Sequence, residues 1–391
     1  MCADLFLHPP HFVVNRMNHT SLFCVVLTAY LLAAPAQAAE RDIKPSSDAQ
    51  VIETLAPRMR TSASTPEAAA LAARQAISLA RQTADVRYLG RAQAMLQRWW
   101  NQPDAPVELA ILQATVQQSR HEFAAAQRVL ELALQREPRF APAHAQGWLT
   151  LATLERVAGR YPAALAACAG VARAGAALYS AACQLETSSL QGQHGAARQG
   201  FAALQRQAKD AGAQAWLFSL AAENEERAGQ TAAALAAYQT SVSLAPDTYT
   251  ALAAADLLLR SERAKEALAM LLKEPDSDAV LLRRAYAMKL QKNTAWSAVA
   301  ALVRQRIEAL DQRGDDPATH ARERALMHLW LDADGPRALQ SAKFNLTLQK
   351  EPFDWWLALK SAQLAGQGAT IDQLQRDIAA IGLRDMRLQR I

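Results

Sequence analysis

The sequence predicts an all-α fold built from stacked antiparallel helix pairs. One observation is a series of alanines that recur 33 to 38 residues apart, a spacing typical of helix-turn-helix repeats, at Ala126, Ala164, Ala197, Ala234 and Ala267. Another is the composition: with 51% hydrophobic and only 6% aromatic residues the chain is ordinary for a soluble protein, and its alanine-rich runs favour helix. The third is that no stretch of useful length alternates apolar and polar residues as a half-buried strand does.

The first 38 residues have the features of an export signal. The apolar stretch of 13 residues from 22 to 34 is shorter than the roughly 20 residues of a membrane span and suits a signal-peptide core. The small-x-small sequence Ala36-Gln37-Ala38 then supplies a cleavage site. The alternative is a hydrophobic first helix of the fold. We expect residues 1–38 to be a signal peptide, with Met17 as the more conventional start. The mature chain would then be periplasmic in a bacterium, without stable membrane insertion.

The rest of the chain divides into a linker, a first helix pair, a repeat array and a terminal pair. Residues 39–64 are polar and predict a flexible linker. The dipeptide Thr65-Pro66 is typical of a helix N-cap and first helical position, and it opens a helix pair within residues 65–106. The repeats occupy residues 107–352. Residues 353–391 are predicted to form capping helices, because the end of a repeat array must cover an otherwise exposed core.

Each repeat unit contains some of the same elements in the same order: a glycine, an aromatic residue, an alanine and a closing proline. Glycine ends the first helix because it adopts a positive φ at low cost. Alanine lets the two helices of a unit approach closely, and proline closes the unit because it cannot continue the second helix. The positions are Phe123, Ala126 and Pro138; Gly159, Tyr161 and Ala164; Gly192, Ala197 and Phe201; Gly229, Ala234, Tyr238 and Pro246; and Gly335, Phe344 and Pro352.

This pattern resembles the tetratricopeptide repeat, in a form exported by bacteria. The resemblance implies a right-handed superhelical solenoid with atypical terminal units, in which the first helix of each unit lines a concave groove for a peptide or protein partner. It also implies which residues line that groove. They are Gln118, Arg156, Tyr179, Glu186, Trp216, Glu223, Glu226, Tyr249, Asp256, Arg260, Tyr286 and Lys289. We expect charge reversal at Glu223, Glu226 and Asp256 together to weaken partner binding without lowering the melting temperature.

The sequence contains no recognisable catalytic or metal-binding motif. His121-Glu122 begins like the helix of a zinc protease, but Ala125 stands where the second histidine would be. We therefore expect a non-catalytic protein with no cofactor and no metal. The net charge of +5 arises from 42 basic and 37 acidic residues that are interleaved along the chain, so it does not predict a nucleic-acid partner.

Two cysteines, Cys168 and Cys183, remain once a leader carrying Cys2 and Cys24 is removed. They fall on a second helix and on the first helix of the following unit. One alternative is a disulfide, whose loop of about 15 residues would contribute about 3 kcal/mol. The other is a pair of buried free thiols.

Three functions fit these observations. The first is a periplasmic adaptor whose groove binds a peptide segment or a partner protein. The second is a structural subunit of an envelope assembly for secretion, cell-wall synthesis or cofactor maturation, which would expose a large apolar patch. The third is an enzyme or metal carrier with a site between repeats, which would need a cluster of titratable residues in one cavity.

Overall fold

The fold is described from a computed structural model that covers residues 65–136, 140–312 and 317–389. These residues all belong to one compact unit of the chain. The predicted signal peptide, the predicted linker and the predicted closing proline Pro138 lie outside the described residues.

Within the described residues the chain forms eighteen α-helices and no strand, which confirms the predicted all-α class. In chain order the helices are α1 (Pro66–Thr83), α2 (Arg87–Leu96), α3 (Val107–Ser119), α4 (Phe123–Leu134), α5 (Ala145–Val157), α6 (Tyr161–Arg173), α7 (Ala177–Leu190), α8 (His194–Gln207), α9 (Ala211–Arg227), α10 (Thr231–Leu244), α11 (Thr248–Arg260), α12 (Ala264–Leu271), α13 (Asp278–Leu290), α14 (Trp296–Gln312), α15 (Ala321–Leu326), α16 (Gly335–Leu348), α17 (Pro352–Leu364) and α18 (Gly368–Ala380). A π-helical turn, Met327–Asp332, continues α15. None of these helices has both the length and the apolar character needed to cross a membrane.

Consecutive helices pack against each other from α1 to α14 and again from α15 to α18. The first helix of a pair also contacts the first helix of the next, as α3 does with α5, α5 with α7 and α7 with α9. The five recurring alanines lie on the second helices α4, α6, α8, α10 and α12, and all five are fully buried. Because a methyl group keeps the helix axes close, this packing depends on the small side chain at each of these positions.

Seven of the turns within helix pairs share one backbone geometry. In each, the second residue after the first helix has a positive φ, and these residues are His121, Gly159, Gly192, Gly229, Glu262, Lys292 and Gly366. The following N–H bonds to a carbonyl five residues earlier, as Arg160 N does to Glu155 O at 2.8 Å. This is the Schellman arrangement that ends a helix. The units with His121, Glu262 and Lys292 therefore repeat the backbone turn although they lack the glycine that favours it.

The unit around Gly335 differs from the prediction. Its positive-φ residue is Ala333, and Gly335 instead begins α16. A Cβ atom on Gly335 would lie 2.5 Å from the backbone nitrogen of Ala365, at the end of α17. Glycine is needed here because two backbones approach closely, not because of its φ. Pro352, predicted to close the unit, occupies the first turn of α17.

The largest apolar cluster brings the end of the described chain against its middle. It contains Tyr161 of α6 and Leu190 of α7 together with Leu383 and Leu388, which follow α18, and all four side chains are buried. A disulfide joins Cys168 and Cys183, whose Cα atoms are 5.7 Å apart, and it links α6 to α7. The segment after α18 is therefore part of the packed core.

We expect Ala164→Leu to destabilise the fold by about 1 to 3 kcal/mol, because the fully buried site on α6 has no room for three extra carbons. The matched control is Ala163→Leu, since Ala163 is the exposed neighbour on the same helix. Its effect should stay within about 0.5 kcal/mol. Urea unfolding followed by circular dichroism measures both. Equal stabilities for the two variants would contradict the helix packing described here.

Candidate functional site

All twelve residues predicted to line the groove lie on the first helices of the pairs, from α3 to α13. Six of them are buried: Gln118, Arg156, Glu186, Trp216, Glu226 and Asp256. The other six, Tyr179, Glu223, Tyr249, Arg260, Tyr286 and Lys289, are half-buried. We call this set of twelve residues the inner face, and half of its members are buried.

Charged side chains of the inner face pair across neighbouring first helices. Arg156 of α5 lies 2.9 Å from Glu186 of α7, and both side chains are about 95% buried. Arg260 of α11 pairs with Glu226 of α9. Burial raises the pKa of Glu186, and Arg156 offsets this only in part. Each of these contacts joins one helix pair to the next, so these residues hold the units in register.

The ion pair between α11 and α13 is bidentate. Arg283 donates two hydrogen bonds to the carboxylate of Asp256, at 2.7 and 2.8 Å, and both side chains are buried. Further along α13, the amino group of Lys289 donates to the carbonyl oxygens of Trp330 and Leu331, at 3.0 and 2.9 Å. Those carbonyls belong to the π-helical turn, so Lys289 supports an irregular piece of backbone.

Two aromatic contacts lie on the same face. The rings of Tyr179 and Trp216 have centroids 5.5 Å apart, and those of Tyr286 and Trp330 are stacked at 4.7 Å. Burial raises the pKa of both tyrosines. Half-buried tyrosines of this kind present an apolar ring and a polar hydroxyl to whatever lies along the face.

Residues 382–389, which we call the clasp segment, cross the turns of consecutive helix pairs. The N–H of Arg384 donates to the carbonyl of Leu190 at 2.8 Å, and the N–H of Met386 donates to that of Arg227 at 2.9 Å. Those carbonyls belong to the last residues of α7 and α9. The segment itself is bent, since Gly382 has a positive φ and the N–H of Leu388 donates to the Asp385 carbonyl at 3.2 Å in a turn.

The acceptors of the clasp segment occupy equivalent positions in successive units. Leu190 and Arg227 each end a first helix two residues before the positive-φ residue, and Val157 of α5 does the same. The Val157 carbonyl accepts from the N–H of Lys350 at 2.7 Å. A Cβ atom on Gly192 would lie 3.0 Å from the Cβ of Arg384, so glycine at this turn also leaves room for the clasp segment.

Glu226 is the centre of the side-chain contacts that hold the clasp segment. Its carboxylate accepts from Arg387 Nη1 at 2.7 Å, from the Tyr238 hydroxyl at 2.9 Å and from Arg260. Arg387 in turn donates to Asp385 at 2.9 and 2.5 Å. Burial acts to raise the pKa of Glu226, but Arg387 and Arg260 outweigh it and the pKa falls below its ordinary value. Glu226 therefore remains ionised between two arginines.

A small polar cavity lies beside this network. Its volume is about 30 Å³, and its lining includes Tyr161, Glu186, Glu223 and Arg227. The Tyr161 hydroxyl and Arg227 Nη2 are buried and have no hydrogen-bond partner among the described residues. This cluster of titratable groups is the kind of site that the third hypothesis requires, but its volume suits only about one or two water molecules.

A larger cavity, of about 500 Å³, lies between α3, α4 and the loop after α2. Trp100, Gln113 and Arg136 contribute to its lining. Gln113 bonds to the backbone and side chain of Asn101 at 2.9 and 2.6 Å, and Arg136 donates to the Ala105 carbonyl at 2.6 Å. These polar groups hold the loop in place, which gives them a structural role.

Among the described residues, no group of three or more histidine, cysteine, aspartate or glutamate side chains is arranged to hold a metal ion. A comparison with protein-family models finds no match, and a comparison with curated proteins finds no significant match. The site must therefore be interpreted from its own geometry.

The structure changes one expectation and adds residues that the sequence did not reveal. Reversing the charge of Glu223, Glu226 and Asp256 would place like charges beside buried arginines, so we now expect this triple variant to lower the melting temperature.

The added residues are Asp385 and Arg387. They lie outside the repeat pattern, and Arg387 contacts a residue 161 positions away.

We expect Asp256→Ala to destabilise the fold by about 3 to 5 kcal/mol, because it leaves Arg283 as an uncompensated buried charge. The control is Glu266→Ala, which removes an exposed pair with Arg263 on the outer surface and should leave the melting temperature unchanged. Differential scanning calorimetry measures both. A small effect of Asp256→Ala would mean that water reaches this pair in solution.

Proposed function

We propose that the chain is a non-catalytic, tetratricopeptide-like scaffold of the bacterial periplasm that binds a peptide segment or a partner protein. In this proposal the helix pairs form a right-handed superhelical solenoid, and the inner face is its binding surface. The observation that carries the proposal is the clasp segment, a short piece of chain held across successive units by the carbonyls of Leu190 and Arg227 and by the side chain of Glu226. A surface that binds a segment of its own chain has the chemistry to bind another segment.

The second candidate, a structural subunit of an envelope assembly, is less well supported. Such a subunit would present one large apolar patch. The exposed large apolar side chains of the described residues are instead spread along the chain, from Leu71 of α1 and Leu132 of α4 to Phe344 of α16 and Leu364 of α17. An enzymatic role is less well supported, because the polar cavity is too small for a substrate and the polar groups of the larger cavity hold the loop after α2 in place.

We expect Glu223→Gln to reduce partner capture severalfold, because Glu223 is a half-buried carboxylate of the inner face that receives the Tyr249 hydroxyl at 3.1 Å. The matched control is Glu225→Gln on the same helix, whose carboxylate pairs with Arg198 of α8. The measurement is affinity capture of the tagged, exported chain from envelope extract, with cross-linking and mass spectrometry to locate the contact. Partners that survive both substitutions, with cross-links away from the inner face, would refute the proposed binding surface.

We expect the exported chain to begin at Ala39, because cleavage is predicted after the Ala36-Gln37-Ala38 sequence. Intact-mass and N-terminal analysis of the protein released by periplasmic extraction measures this. A chain that stays in the cytoplasmic fraction with residues 22–34 attached would contradict the proposed compartment while leaving the binding proposal open.

A further inference from the structure

We propose that the small polar cavity is a binding site for about one or two resident water molecules, which complete the hydrogen bonding of the Tyr161 hydroxyl and the Arg227 guanidinium. The lining of the cavity comes from α5, α6, α7, α9 and the start of α17, and it includes Val157, Tyr161, Glu186, Arg227 and Pro352. Water held there joins helices of three consecutive pairs to α17, which is distant from them in sequence.

Arg227 is a buried cation whose protein partners satisfy only part of its guanidinium. The residue is 2% exposed. Its Nε donates to the Ser189 hydroxyl at 3.0 Å, and its Nη1 donates to the Glu223 carboxylate at 3.3 Å. Its Nη2 is buried and has no partner among the described residues. An unsatisfied N–H on a buried charged group costs more than one on a neutral group, so a hydrogen-bond acceptor beside Nη2 stabilises the fold.

The Tyr161 hydroxyl also lacks a protein partner. The side chain is fully buried, and its oxygen has no hydrogen bond to the described residues. Burial raises the pKa of this hydroxyl, so it stays protonated and can both donate and accept. The equally buried Tyr238 differs, because its hydroxyl donates directly to Glu226 at 2.9 Å. Since Tyr161 lines the cavity, the partner of its hydroxyl can lie there.

The cavity has the size and the polarity that buried water requires. Its volume of about 30 Å³ exceeds the roughly 10 to 15 Å³ that one water needs. A buried water typically makes about three hydrogen bonds. Arg227 supplies a donor, Tyr161 supplies a hydroxyl, and the carboxylates of Glu186 and Glu223 in the same lining supply acceptors.

The charges of the lining favour water over a small anion. Two unsatisfied donors alone would suit a chloride ion. The lining, however, contains as many carboxylates as cationic groups, and these are Glu186, Glu223 and Glu351 with Arg156, Arg227 and Lys350. An anion would be repelled by the carboxylates at short range, whereas a neutral water accepts from the guanidinium and donates to a carboxylate.

Thermal unfolding of the full chain tests the water with Tyr161→Phe and, as the matched control, Tyr238→Phe. Each substitution removes one buried hydroxyl and keeps the ring. Tyr238→Phe breaks the direct bond to Glu226 and should lower the melting temperature. We expect Tyr161→Phe to lower it as well, by about 1 to 3 °C, because a hydroxyl satisfied by water is lost. An unchanged or higher melting temperature for Tyr161→Phe would overturn the inference, since removing an unsatisfied buried hydroxyl costs nothing.

A crystal structure of the wild-type chain, grown in sodium bromide at a resolution that shows ordered water, tests the site without any variant. We expect electron density within about 3.2 Å of Tyr161 Oη and of Arg227 Nη2, with no anomalous signal from bromide. A cavity without density would overturn the inference. A bromide peak would assign an anion to the site and overturn the choice of water. Neither result depends on partner capture, so failure here is distinct from failure of the proposed function.

Discussion

The close approach of two helices at a buried alanine is the constraint on which the rest of this structure depends. Ala126, Ala164, Ala197, Ala234 and Ala267 each place a methyl group where a second helix crosses its partner, and none is exposed. With the pairs held at this distance, the first helices come into contact with one another along the chain. The ion pairs of the inner face and the row of helix ends both follow from that spacing.

The turns between the helices of each pair place the ends of the first helices in a row. The same Schellman geometry ends seven first helices, so the last carbonyl of each is presented at an equivalent place. A helix end usually leaves its carbonyls to water or to a capping group. Here those of Val157, Leu190 and Arg227 accept from chain segments that are distant in sequence. The periodicity of the repeat therefore supplies a periodic set of acceptors, which Lys350, Arg384 and Met386 use.

The sequence predicts features that are local and recur in each unit. It does not predict contacts between residues that are far apart in the chain and do not recur. Helix pairs, buried alanines and the positive φ of Gly159 and Gly192 follow from spacing within one unit. The partners of Arg156 and Arg283 depend on how two units are registered some 27 to 30 residues apart, which the motif does not encode. The contact of Arg387 with Glu226 spans 161 residues and repeats nowhere, so no pattern points to it. Half of the residues expected to face a ligand are buried, because their side chains pack against neighbouring helices.

A stack of helix pairs normally distributes its stability over nearest-neighbour contacts, so that each unit responds mainly to the units beside it. The clasp segment adds a different kind of contact, because it ties the chain after α18 to the ends of α7 and α9. Units that would otherwise open independently are thereby coupled through one short segment.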